Sequence, residues 1–188
     1  MHSRGIKPVA AAVVAAALAI VANPAAAHAA TDDGTSLTIS SVLSRSALLA
    51  PTPVALKNQK SSKFLQPTST GNNATVVQRA GSSAATQGWK VYKDSGYVTF
   101  NNNGVDRNLG TSGASMSSGT AAVIVNGSGS LDQDWLLDKK DDNYFRLQSR
   151  KDSRMCLGID GGSRDAGAVA MIFRCDTSEN QTWSFTAF

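Results

Sequence analysis

Apolar and polar residues alternate in short stretches along most of the chain. Val54-Ala55-Leu56-Lys57, Tyr97-Val98-Thr99-Phe100 and Tyr144-Phe145-Arg146-Leu147 follow the two-residue period of strands with one buried face. A polar turn comes after each: Gln59 to Ser62, Asn101 to Gly104, and Ser149 to Ser153. Second short strands are centred on Leu65, Leu109 and Leu157. Third strands run over Ala74 to Gln78, Ala121 to Val125, and Val169 to Phe173. A fourth set carries Trp89, Trp135 and Trp183, with Val91, Leu137 and Phe185 two residues further on and so on the same face.

This order occurs three times. The three tryptophans are the only ones in the chain, and each closes a Gln-x-Trp triplet: Gln87-Gly88-Trp89, Gln133-Asp134-Trp135 and Gln181-Thr182-Trp183. The leucines precede their tryptophans by 24, 26 and 26 residues. Gly119 and Gly167 each stand 16 residues before a tryptophan, where the first copy has Asn73, a residue that also accepts positive φ. A scarce residue returning at such a period marks an internal repeat of one supersecondary unit. One unit has too little apolar surface to fold alone, whereas three closed about a pseudo-threefold axis share a core and leave few strand edges. The expected fold is all-β, with repeats of about 54–93, 94–139 and 140–188.

The first thirty residues follow a different pattern. Arg4 and Lys7 precede an uninterrupted apolar run from Val9 to Val21, Asn23-Pro24 breaks it, and Ala27-His28-Ala29 is a small-x-small cleavage site. This is the pattern of a secretory signal peptide over residues 1–29. Residues 30–53, ending in Pro51-Thr52-Pro53, are expected to be a poorly ordered leader or linker, with a short amphipathic helix around Ser41–Leu49 as the alternative.

Export changes what the remaining chemistry can be. Without Arg4 and Lys7, the 18 basic residues become 16 against 14 acidic ones, a net of +2, too weak to indicate a nucleic-acid partner. His2 and His28 are the only histidines, and both lie within the leader. The mature chain then has no Ser–His–Asp or Cys–His machinery and no histidine metal ligands. Cys156 and Cys175 are, in an oxidising compartment, either a disulfide or two free thiols, the former being the expected state. Lys139-Lys140-Asp141-Asp142 reads as a solvated hairpin turn, and no matched carboxylate pair for glycoside hydrolysis stands out. The Gly/Ser-rich stretches Gly127-Ser128-Gly129 and Gly110 to Gly119 lack the Lys-Ser/Thr ending of a phosphate loop. No cofactor, no metal and no enzyme activity are expected.

Three Gln-x-Trp units of this length, each with a leucine strand upstream, resemble the ricin-type β-trefoil lectin domain, which also serves as a family 13-like carbohydrate-binding module in secreted bacterial proteins. The resemblance covers residues 54–188. It implies a β-trefoil of three four-stranded repeats in which Gln87, Trp89, Gln133, Trp135, Gln181 and Trp183 serve the core. It also implies an intra-repeat disulfide between Cys156 and Cys175, in the third copy only, because the first two have Phe64 and Asn108 where Cys156 stands.

In this family the main polar group of the sugar site is an aspartate directly after the strand leucine. Those positions are Gln66, Gly110 and Gly158 here, so all three copies depart from the pattern. The third copy keeps the rest best. Phe173 holds the stacking position, Asn180-Gln181 matches the family's Asn-Gln, and Asp160 can supply a carboxylate from a shifted place. The expectation is a secreted, non-catalytic, lectin-like protein with at most one or two weakened sites. The best is in the third copy, built from Asp160, Phe173, Asn180 and Gln181, and its partner is a glycan. The alternative is a trefoil with decayed sugar sites that binds a secreted protein.

Overall fold

The computed structural model describes residues 36–48 and 52–188. The signal-peptide segment lies outside the described residues. The chain forms β1 (Ser36–Leu37), α1 (Ile39–Leu48), β2 (Val54–Asn58), β3 (Phe64–Pro67), β4 (Ala74–Arg79), β5 (Gly88–Asp94) and β6 (Tyr97–Asn102). It continues with β7 (Asn108–Thr111), β8 (Thr120–Val125), β9 (Asp134–Lys139), β10 (Tyr144–Ser149), β11 (Met155–Ile159), β12 (Ala170–Arg174) and β13 (Thr182–Ala187).

Six strands close into a ring. β2 pairs with β5, β5 with β6, β6 with β9, β9 with β10, β10 with β13, and β13 returns to β2, every pair antiparallel. The other strands make the hairpins β3–β4, β7–β8 and β11–β12, which meet one another through β4–β8, β8–β12 and a bridge from Val77 to Val169. The result is an all-β, β-trefoil-like architecture. The ring has no free edge within it, which removes the usual liability of an exposed strand.

The tryptophans join the ring to the hairpins. Trp89, Trp135 and Trp183 lie on β5, β9 and β13 and are fully buried. Each indole Nε1–H donates to a leucine carbonyl of the hairpin layer: Trp89 to Leu65 at 3.2 Å, Trp135 to Leu109 at 3.2 Å, Trp183 to Leu157 at 3.0 Å. A buried indole needs such a partner for its one polar atom. Phe100, Phe145 and Phe185 fill the centre, with Phe145 and Phe185 ring centroids 4.6 Å apart. At the turns before the third strands, Asn73, Gly119 and Gly167 all have positive φ, at 65°, 87° and 94°.

Two features differ from the sequence expectation. The opening strands align one residue differently. Val54 pairs with Trp89, Val98 with Trp135 and Phe145 with Trp183, so Val54 corresponds to Val98 and Phe145 rather than to Tyr97 and Tyr144. The second correction concerns the segment read as poorly ordered. Residues 36–48 form a strand and a helix, close to the alternative of a short helix. β1 adds to β13 at Phe185 and Thr186, the Ile39 N–H donates to the Asp142 carbonyl at 3.2 Å, and Ile39 and Val42 enter the core. Their i,i+3 spacing places them on one face of the helix. Ile39→Asp removes that docking, and a stability loss of about 2–3 kcal/mol is expected from the apolar burial forgone. Urea unfolding checks it; an unchanged midpoint would mean that the segment adds nothing.

Candidate functional site

The glutamines of the three triplets brace the loops before their strands. Gln181 Nε2 donates to the Arg174 carbonyl at 3.0 Å, and its Oε1 accepts the Asp176 N–H at 3.1 Å. Gln87 does the same with the Ala80 carbonyl at 2.7 Å and the Ser82 N–H at 2.9 Å. Gln133 reaches the Asn126 carbonyl at 3.2 Å and the Ser128 hydroxyl at 2.8 Å. Gln181 is buried with both ends of its amide in internal bonds, so its geometry is that of a brace.

That brace shapes an open depression of about 350 Å³ in the third unit, lined by Ile159, Gly161, Gly162, Phe173 and Asn180, with Arg174 and Asp176 at its edge. Phe173 is half-buried on β12, opposite Cys156 in the β11–β12 pairing. The Cys156–Cys175 disulfide ties β11 to the residue after β12 and so holds the strand end that carries Phe173. Asn180 is anchored by its backbone carbonyl, which accepts from Asn58 Nδ2 at 2.9 Å. Its own Nδ2 makes only a long contact, 3.4 Å, to the Ile159 carbonyl. Phe173 and Asn180 are therefore brought together, and the buried Gln181 also lines the depression. Asp160 falls between two lining residues but does not line the depression itself; it is exposed at the start of a 3-10 turn.

Gly158, in the place of the strand aspartate, has no room for a side chain, since a Cβ there would lie 2.9 Å from Gln181 Cγ. Sequence reasoning missed Lys60. A Cβ on Gly162 (φ +57°) would sit 2.6 Å from Lys60 Nζ and 3.6 Å from Asn180 Cγ, so this lysine of the first unit reaches the rim of the third.

A second depression, of about 230 Å³, opens in the second unit beside Asn73, Thr111, Asn126 and Asp132. Asp132 is buried, and its Oδ2 accepts the Thr111 N–H at 3.3 Å. That same oxygen is 3.2 Å from where a Cβ on Gly110 would be. The carboxylate missing after Leu109 thus re-enters from the turn before Gln133.

The carboxyls with displaced titration lie outside both depressions, and all are lowered. Asp152 falls to about 2, chiefly through the side-chain hydrogen bond from Arg154. Asp94 is lowered by Ser95 first and then Arg150, and Asp141 by the N–H groups of Asn143 and Tyr144. Each is ionised at neutral pH, whereas the acid of a glycoside hydrolase needs the opposite shift. Among the described residues no group of three His, Cys, Asp or Glu side chains is placed to hold a metal ion. No described helix is long and apolar enough to cross a membrane.

A family model described as the ricin-type beta-trefoil lectin domain matches residues 52–183. No curated protein matches the chain. Among solved structures, the designed three-fold symmetric protein ThreeFoil is 26% identical with a TM-score of 0.70, covering 72% of this chain and 99% of that one. An exo-beta-1,3-galactanase from Clostridium thermocellum is 23% identical with a TM-score of 0.69 over 73% of this chain, but only 30% of the galactanase is spanned. The ricin B-like lectin of Macrolepiota procera, solved with lactose, is 19% identical with a TM-score of 0.63, covering 73% of this chain and 96% of that one.

Proposed function

Because the chain belongs to the ricin-type beta-trefoil lectin domain family, we propose that it is a secreted, non-catalytic carbohydrate-binding protein whose principal glycan site is the third-unit depression. The observation that carries this reading is the pairing of a half-buried aromatic, Phe173, with the loosely held Asn180 amide across an open concave surface. A sugar ring needs an apolar face for its C–H side and planar polar groups for its hydroxyl pairs. Phe173 supplies the first, Asn180 the second, and Asp160 and Lys60 stand at the rim. Gln181 acts by fixing the loop that carries Asn180. The Asp132 depression is the place for a second, weaker site. Three units of four strands, each closed by its Gln-x-Trp strand, account for the duplicated geometry. Residues 1–29 are read as the export signal, and the disulfide suits that compartment. The lactose complex of the Macrolepiota procera lectin and the GalNAc complex of an earthworm R-type lectin make glycans the ligand class to try first.

Phe173→Ala should abolish binding of the glycan recognised by the wild-type protein and leave the fold intact. Calorimetric titration with a circular-dichroism control checks it, and undiminished binding in the folded variant would remove the site. One observation favours a second reading, a trefoil that binds a secreted protein: the absence of the strand aspartate at Gln66, Gly110 and Gly158, with the space at Gly158 closed by Gln181.

A further inference from the structure

The outer face of β13 is unlike that of the other tryptophan strands. Trp183 and Phe185 point into the core, so Thr182, Ser184 and Thr186 face the other way. At the same offsets from the tryptophan, β5 carries Gly88, Lys90 and Tyr92, and β9 carries Asp134, Leu136 and Asp138. Only β13 has three small hydroxyl residues there, and all three are buried.

Larger residues wall them in. The register puts Tyr144 beside Ser184 on one flank and Lys57 beside it on the other. Next along, Ser36 stands beside Thr186, so β1 prolongs the wall begun by β10. The Gln59 N–H donates to the Thr182 carbonyl at 2.9 Å and brings its side chain to the same groove. The cavity so formed holds about 130 Å³ and is lined by Ser36, Lys57, Gln59, Tyr144, Ser184 and Thr186, with Asn58 and Ser62 completing it. At the seam between the second and third units, the corresponding tyrosine, Tyr97, is covered. Arg150 lies 4.6 Å over its ring and bridges Asp94 and Asp134 at 3.1 Å each.

The groove holds a polar atom that the fold does not use. Gln59 Oε1 is buried and has no hydrogen-bond partner. Ser184 and Thr186 line the same cavity. Buried polar groups are normally paired, and leaving one unpaired costs about 1–3 kcal/mol. One such atom in a cavity otherwise walled by polar side chains marks a place where a ligand's own polar groups are accepted.

We infer that this groove is a further saccharide site, distinct from the third-unit and Asp132 depressions, and that it takes a single terminal sugar ring. Gln59 Oε1 only accepts, so the ligand must donate; Lys57 only donates, so the ligand must also accept; the two hydroxyls do either. A polyhydroxylated ring offers both functions from adjacent atoms, and the Tyr144 ring gives its C–H face an apolar wall. The cavity is well below the ~300 Å³ at which pockets for larger ligands begin, which limits it to one ring. Ser36 lies outside the matched domain, so this site is completed by a segment that the family model does not include.

The test is a titration of the ¹⁵N-labelled chain with methyl glycosides of neutral hexoses, added singly and followed by heteronuclear NMR. Saturable shifts are expected at the Gln59 side-chain amide and the Ser184 and Thr186 amides. Gln59→Leu, which adds no bulk, and Ser184→Leu, which fills the groove, should each weaken those shifts at least tenfold. Phe173→Ala should leave them unchanged, so failure here and failure of the third-unit site are read separately. No shift at these three residues with any glycoside overturns the proposal, as do shifts that persist in Gln59→Leu or a groove that responds to short peptides but not to sugars.

Discussion

Trp135→Ala is expected to cost about 3–5 kcal/mol of folding stability, the range for removing a large aromatic from a packed core. The indole is fully buried and donates to the Leu109 carbonyl at 3.2 Å, so the variant leaves a cavity and an acceptor without its donor. A domain of this size has about 5–15 kcal/mol in all, so the loss is a large share of it. Trp89→Ala and Trp183→Ala should behave alike, because each indole holds a hairpin leucine by the same bond. Tyr92→Ala is the control: its ring is 45% exposed, and a change within ~0.5 kcal/mol is expected. Denaturant unfolding of the four variants checks this. A Trp135→Ala midpoint equal to that of Tyr92→Ala would show that the tryptophans are not the links between ring and hairpins.

Replacing Cys156 and Cys175 together by alanine should cost about 3 kcal/mol, because the cross-link closes a loop of 19 residues in the unfolded chain. The effect on binding should exceed what stability alone explains. Cys156 faces Phe173 across the β11–β12 ladder, and Cys175 follows Arg174 at the edge of the depression, so loss of the staple frees the strand end that carries the aromatic. The expected result is a lowered unfolding midpoint, together with weaker glycan binding at a temperature where the variant is still folded. Equal stability of the oxidised protein and the variant would contradict the entropic account.

The repeat was legible because it rests on scarce residues under strong constraint. An indole that must be buried and hydrogen-bonded fixes both its own position and that of the leucine whose carbonyl it uses, which is why the leucines recur 24, 26 and 26 residues before their tryptophans. Positive φ at Asn73, Gly119 and Gly167 was legible for a similar reason, since few residue types accept it. The opening strand of the first unit was misaligned by one because Val54, Ala55 and Leu56 are all apolar and all buried, which blurs a two-residue period. The ordering of residues 36–48 was hidden because two apolar residues on a short helix do not say what they dock against, and its neighbours on β13 are more than a hundred residues away. Phe173 and Asn180, singled out by position in the repeat, line one depression, whereas Lys60 comes from another unit and Asp132 approaches Gly110 across a turn. Such contacts belong to tertiary structure, and no local pattern encodes them.

The most direct test of carbohydrate binding is a glycan-array screen of residues 30–188 with Cys156 and Cys175 oxidised. Binding to one class of glycan, lost in the folded Phe173→Ala variant, is the predicted result. A folded wild-type protein that binds no glycan at high concentration would contradict it and would move the search to protein partners.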